Sequence, residues 1–345
     1  MTQQQRKLEA PHRRLESSPR FVEKAAVLGY RSGLAALAHL PPGLSIAVIG
    51  RLNQVSYLLW PTKRRFSNAN FGHVLGLSPD DPKVRRMALR AYKEYARYMV
   101  ELMRLPSRPK GEVAALVEGE GIAEIVGAFE AHGKSMIVVA GHVGNNEAVA
   151  AGIAWRGLPA NVVADDSAFP EIFEILRQQR ESWGVHVVPW RNLRELFTIL
   201  RGRQILALLV DWGYRFDGIP VQLFGAWTTL PAGPATLAAK TGAIIAPMAV
   251  RRTRDGRIHV EADEAFTVPS SSPADIQRAT QRIADSLERT IAAAPAQWYS
   301  FKPLWPEDPA ESAALEARAA EMLAGRPGTV AAPRRSAEAA SGTGA

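Results

Sequence analysis

An α/β fold with a mixed, largely parallel central sheet flanked by helices, preceded by N-terminal amphipathic helices, is predicted by three features of the sequence. Short apolar runs rich in β-branched residues recur at 136–140, 161–164, 184–189, 205–210, 243–251 and 258–262. Stretches of helical composition separate most of them, the alternation that lays strands parallel and puts helices on the faces of a sheet. With 345 residues, 47% of them hydrophobic, the chain is long and apolar enough to bury a sizeable core as one large domain.

Residues 1–20 carry Arg6, Lys7, Arg13, Arg14 and Arg20 among Gln, Ser and Pro, and read as a disordered basic arm. Two apolar helical segments follow, 21–39 and 44–60, separated by Pro41 and Pro42; Arg51, Asn53 and Gln54 interrupt the second. Neither is a clean run of about 20 apolar residues, so a membrane span is not expected, and the polar opening has no signal-peptide pattern. An amphipathic segment lying on an anionic membrane, with Lys63, Arg64 and Arg65 meeting headgroups, fits this pattern, and a core helix hairpin is the competing reading. A long helix is predicted over 82–105. Met87, Ala91, Tyr95, Met99 and Met103 recur on it at helical spacing as a core stripe, with Arg85, Arg86, Arg90, Lys93 and Arg97 on its other faces.

The stretch 134–150 is the chemical centre of the chain. Its apolar run 136–140 lies between Gly133 and Gly141 and reads as a buried strand; His142 follows at once, and Glu147 five positions later. Five helical residues turn the chain through about 500°, so the two side chains could not meet on one regular helix. His142 therefore precedes the helix, Gly144, Asn145 and Asn146 supply the loop and N-cap, and Ala148 to Trp155 has helix-forming composition. A neutral imidazole with a carboxylate on one ring nitrogen can take a proton from a hydroxyl with the other. Amides at the start of that helix, with Gly141 and Gly144 allowing close approach, would suit an oxyanion. A satisfied core histidine with Glu147 on the helix surface is the competing reading.

Farther on, the Glu118-Gly-Glu-Gly stretch lacks the third glycine of a dinucleotide loop. The helix predicted over 169–182 carries Arg177 and Arg180, either of which could bind a phosphate bidentately or make a surface ion pair. The strand 205–210 ends at Asp211. Ligand sites in such sheets lie beyond the carboxyl ends of strands, which makes His142 and Asp211 candidates for one site. Gly225 permits a tight turn after Phe224, Gly233 opens a helix after Thr229 and Pro231, and 272–294 is helical. Residues 309–345 are rich in Ala, Glu, Arg, Gly and Ser. They read as a low-complexity tail holding one helix to Ala324, with no catalytic role, which leaves 21–308 as the folded domain.

Taken together, His142-x4-Glu147 with Gly144 and Asn145 between, Arg180 before Gly184, Asp211-Trp-Gly, Phe224-Gly225, Thr229-x-Pro-x-Gly233 and the closing Gln297-Trp-Tyr block resemble the lipid A biosynthesis acyltransferase branch of the lysophospholipid acyltransferase superfamily. The resemblance spans roughly 45–305 and departs from the family pattern at Trp212 and Leu223. It implies a peripheral enzyme of the cytoplasmic face of a bacterial plasma membrane. Such an enzyme would move a fatty acyl group from acyl-CoA or acyl carrier protein to a glycolipid hydroxyl, on an acceptor of the phosphatidylinositol mannoside type or, alternatively, on lipid A. It further implies His142 as general base with Glu147 orienting it, and substrate contacts from Arg180, Asp211, Gly144, Asn145, Phe224, Gly225, Thr229 and Gly233. No metal or other cofactor is implied.

The absence of cysteine excludes an S-acyl enzyme and thiolate metal sites. Lys and Arg exceed Asp and Glu by 42 to 34, which suits an anionic membrane or phosphorylated substrates as well as nucleic acid. No nucleic-acid-binding motif supports the last of these, and there is no Gly-x-Ser-x-Gly elbow for a serine hydrolase.

Overall fold

The computed structural model describes residues 20–166 and 170–326. The basic arm up to residue 19 and the end of the tail from 327 lie outside the described residues. The strand expected at 136–140 forms with those bounds as β2 (Met136–Ala140) and occupies the middle of the sheet. Its neighbours are β5 (Ile205–Leu209) on one side and β8 (Ile244–Arg252) on the other, both parallel to it. Beyond β5 lie β3 (Ala160–Ala164) and β4 (His186–Pro189); beyond β8 lie β9 (Ile258–Ala262) and the short β1 (Val117–Glu118). The β8–β9 pair is antiparallel and the other pairings in this sheet are parallel, as the strand and helix alternation predicts.

β2 is buried along its whole length because helices cover both faces. Ile137 and Val139 enter the core that contains Leu196 and Ile199 of α9 (Leu193–Arg201), Ala235 of α10 (Gly233–Thr241) and Ile283 of α11 (Pro273–Ala293). Met136, Val138 and Ala140 enter the opposite core with Ile125 of α6 (Gly121–His132) and Val149 of α7 (Asn146–Trp155). The chain leaves β2 through α7 toward β3, and returns from β4 through α9 to β5 in the reverse direction. Right-handed crossovers in opposite directions place α7 and α9 on opposite faces. The crevice beyond the strand ends opens where the direction changes.

The N-terminal segments fold as α1 (Arg20–His39), α2 (Pro42–Leu59), α3 (Pro61–Leu75) and α4 (Pro82–Arg104). Among the described residues, no helix is long and apolar enough to cross a membrane. The core face of α4 differs from the expected stripe. Val84, Ala88, Ala91, Ala96 and Val100 are buried, whereas Met87, Tyr95, Met99 and Met103 are only half-buried. The helix has its small residues where α2 and the closing segment approach most closely, and its long side chains flank that contact. A separate hairpin, β6 (Ile219–Leu223) and β7 (Ala226–Leu230), turns at Phe224-Gly225. The folded unit also reaches beyond 308. α12 (Pro309–Leu323) buries Leu315, Ala319 and Met322, and its Arg318 donates to the carbonyls of Phe216 and Gly218.

Candidate active site

The register of the sheet builds the site. Ala140 of β2 pairs with Leu209 of β5, and Val210 N–H donates to Ala140 O at 3.1 Å. Two residues beyond that pair, His142 and Asp211 emerge side by side. His142 Nδ1 lies 2.7 Å from Asp211 Oδ1, and the backbone N–H of His142 donates to both carboxylate oxygens at 3.0 Å. Trp298 Nε1 donates to Oδ2 at 2.8 Å. Burial pushes the Asp211 carboxyl up, but the His142 charge and the hydrogen bonds from the His142 ring, Trp298 and the His142 amide outweigh it and hold the group below the usual carboxylate range. An ionised carboxylate only accepts hydrogen bonds, so Nδ1 carries the proton and Nε2 of the neutral ring is left as the acceptor. The His142 side chain keeps 25% of its exposure and the Asp211 side chain none, so the base reaches solvent while its partner does not.

The expected contact between His142 and Glu147 is not made. The Glu147 carboxylate is held by Arg180 of α8 (Pro170–Ser182), which donates from Nε at 2.9 Å and from Nη2 at 2.5 Å. Burial disfavours the Arg180 charge, but Glu147 more than compensates and raises the guanidinium above its ordinary range. Arg180, which the sequence reading offered to a phosphate, is therefore engaged within the protein by Glu147. Arg177, the rival candidate, bridges Glu174 and Glu181 on its own helix. The reason is geometric: Glu147 stands in the first turn of α7 and projects toward α8, while the imidazole before the helix faces β5.

The loop between β2 and α7 is bonded from within. Asn145 is buried; its Oδ1 caps α7 by accepting from Ala148 N at 3.1 Å, and its Nδ2 donates to Glu101 at 3.0 Å. Gly144 has φ +68°, and a Cβ there would come within 2.6 Å of Val250 O. Its amide donates to Gln297 O at 3.1 Å, and that of Val143 to Gly141 O at 2.8 Å. With the His142 amide on Asp211, these three amides are already used, so the loop before α7 is held from within; the amides at the start of α7, which the sequence reading offered to an oxyanion, are not among them.

Phe224, Gly225 and Thr229 shape the hairpin. Phe224 (φ +51°) and Gly225 (φ +69°) make its turn, and buried Thr229 exchanges hydrogen bonds with the backbone of Arg215. Gly233 starts α10. The Phe224 ring is linked to the site through Trp305 and Trp298, with successive centroid separations of 6.5 and 6.3 Å.

Beside His142, Trp212 is 57% exposed, with its ring 5.3 Å from the imidazole, and Lys302 Nζ sits 3.9 Å over the indole. Burial, and secondarily Lys63, lowers the Lys302 ammonium from its usual value. An apolar cavity of about 100 Å³ runs between the sheet and α7, lined by Val138, Ala140, Val149, Ile153, Val162 and Ala207, with Glu147 and Arg180 on its wall. Among the described residues the arrangement thus combines a base without a protein nucleophile, an exposed aromatic wall and an apolar cavity beginning two residues before the base.

The sequence profile of bacterial lipid A biosynthesis acyltransferases matches residues 20–307. The chain belongs to this acyltransferase family. Among curated members of similar sequence is the phosphatidylinositol mannoside acyltransferase of Mycolicibacterium smegmatis, 28% identical over 290 residues that cover 81% of this chain and 91% of the relative. The phosphatidylinositol mannoside acyltransferase of Mycobacterium tuberculosis is 27% identical over 258 residues, 72% of this chain and 79% of that protein. The profile takes in α1 through the closing block and ends just before α12, so the Asp211–Trp298 contact lies inside the family region and Arg318 outside it. Sequence reasoning reached Asp211 but assigned it to substrate. It missed the role of Trp298, for which the only signal was the aromatic density of the closing block.

Proposed function

We propose that the protein is an O-acyltransferase that moves a fatty acyl group from a thioester donor, acyl-CoA or acyl carrier protein, to a hydroxyl of a phosphatidylinositol mannoside-type glycolipid. The observation that carries the chemistry is the His142–Asp211 pair, whose Nε2 accepts no hydrogen bond and meets no nucleophilic side chain among the described residues. Nε2 takes the proton of the acceptor hydroxyl as the oxygen attacks the thioester carbonyl. The tetrahedral intermediate collapses by breaking the C–S bond, and the leaving thiolate takes the proton back from the imidazolium. Asp211 offsets the positive charge on the ring throughout. Glu147 and Arg180 brace α7 against α8 beside the cavity, which accepts the acyl chain. The acceptor class rests on the names of the similar acyltransferases, and lipid A is the alternative acceptor.

The N-terminal helices support a peripheral membrane reading. Along α2, Leu44, Val48, Leu52, Val55 and Leu59 are exposed on one stripe, with Trp60 at its end, and Arg86, Arg90 and Lys93 are exposed on the adjoining α4. Apolar area flanked by cations suits the boundary of an anionic leaflet, where a lipid-bound acceptor resides. Of the three cations expected to meet headgroups, Arg64 donates to Leu58 O at 2.7 Å and Arg65 lies 3.4 Å from Glu307, so the α4 cations are the better headgroup contacts. The test is incubation with labelled acyl-CoA and either purified phosphatidylinositol mannoside or a lipid A precursor. Transfer to the mannoside, lost by about 100-fold or more in His142→Ala, is expected. Transfer only to the lipid A precursor replaces the acceptor, and unchanged transfer by His142→Ala removes the mechanism.

A further inference from the structure

The closing segment does more than complete the core. Val143 and Trp298 form an antiparallel bridge, flanked by Gly144 N–H to Gln297 O at 3.1 Å and Tyr299 N–H to His142 O at 2.8 Å. Residues 297–299 therefore grip the backbone of the histidine loop on both sides of the bridge. The Trp298 side chain, with no exposure at all, crosses to the neighbouring strand end and donates to Asp211 Oδ2. The indole is itself fixed, with Phe71 and Trp305 edge-on at 5.8 and 6.3 Å.

We propose that Trp298 is a positioning residue for the reaction: its indole N–H fixes the Asp211 carboxylate in the rotamer that presents Oδ1 to His142 Nδ1, and draws charge away from that carboxylate. The proposal rests on the His142–Asp211 reading given above. The two oxygens have separate duties. Oδ1 takes the ring N–H at 2.7 Å, and Oδ2 takes the indole N–H at 2.8 Å, while the His142 amide, 3.0 Å from each, cannot tell one from the other. Trp298 is thus the contact that breaks the symmetry of the carboxylate. Without that donor, Oδ2 is buried with only a shared amide, the carboxylate is freer to rotate, and its undiluted charge pulls harder on the imidazolium.

The neighbourhood leaves few other groups to move the titration. α11 presents Leu287 toward Gly141, and α3 presents Phe71. The adjoining titratable side chains are Tyr299, pushed up to about 12 chiefly by burial, and Lys302 over Trp212, with Lys63 and Asp165 acting on it from beyond; all are common to every variant compared.

Trp298→Phe keeps an aromatic ring and removes the donor; replacement of Trp298 by 3-benzothienylalanine removes the N–H with almost no change of shape, and serves if the first variant folds poorly. Trp183→Phe is the control, because Trp183 is another buried indole but sits in a separate core cluster with Leu105 and Val185. Loss of the Trp298 donor should lower kcat about tenfold with KM little changed, and move the acid limb of kcat/KM up by roughly half a unit to one unit. Trp183→Phe should leave that limb in place. The titration of ¹⁵N-labelled His142 followed by NMR without substrate should move upward in the same way in the Trp298 variants alone. That second readout stands even if no acyl transfer is found, so failure of the functional reading and failure of this inference are separable. A Trp298 variant whose His142 titration and acid limb coincide with those of wild type shows that the indole is only packing, and overturns the proposal.

Discussion

Asp211→Asn tests which carboxylate serves the histidine. The change preserves size and removes the charge beside Nδ1, 2.7 Å away. At an effective dielectric of about 20, opposite unit charges about 4 Å apart attract by about 4 kcal/mol, and each 1.36 kcal/mol is about tenfold in rate. Turnover should therefore fall by about 10³-fold, since the ion pair exists only while the imidazole holds the substrate proton. An amide also fits poorly. With its oxygen toward Nδ1, its NH₂ faces the indole N–H of Trp298, and flipping it sets that NH₂ against the ring N–H. The sign of the pH dependence follows from the depressed Asp211 carboxyl. Its stabilising contribution is complete above the unfolded value of about 3.9 and is lost as pH falls through the lower folded value, so the wild-type advantage in Tm over the variant should shrink in acid. Initial rates of acyl transfer and thermal melts between pH 3 and 8 measure both effects. A loss below about tenfold in Asp211→Asn, beside a larger loss in Glu147→Gln, would refute the argument and return the catalytic acid partner to Glu147.

Glu147→Gln should act mainly on stability, because it strands Arg180, whose side chain is only 15% exposed; a decrease of about 2 kcal/mol is expected by denaturant melting, partly recovered when Arg180 is also replaced by Gln. Ala207→Leu places extra methylenes in the apolar cavity and should shift the donor profile toward shorter acyl chains, read from competing acyl-CoA substrates. Leu52→Glu with Leu59→Glu changes residues 64% and 77% exposed, so Tm should hold within about a degree while binding to anionic vesicles weakens at least about tenfold; vesicle binding equal to wild type in a sedimentation assay contradicts the proposed membrane face.

Local chemistry made much of the architecture legible in the chain. β-Branched runs marked β2 and β9 to the residue, and the loop and cap before α7 were readable in 144–146, where Asn145 is the cap, because capping depends on neighbours within three positions. The same locality put His142 at a strand end, ahead of a helix. The stripe on α4 was misjudged by a fraction of a turn, since several faces of that helix carry apolar residues and only the packing of α2 selects among them. Likewise the composition of 309–323 says nothing of the groove between hairpin and α11 that α12 fills.

The choice of partner for His142 lay beyond the sequence for a sharper reason. Two acids were available, one five residues away and the other 69, and nearness along the chain favoured Glu147. Strand order decided otherwise: the crossovers through β3 and β4 bring β5 back against β2, and a parallel register that pairs residue 140 with 209 sets 142 beside 211. Glu147, carried a turn into α7, is left to Arg180, and the indole that completes the carboxylate comes from Trp298 near the far end of the domain. A strand end fixes where a catalytic side chain begins, because that is a property of a few adjacent residues; which groups it meets there is set by the neighbouring strand, which only long-range pairing can choose.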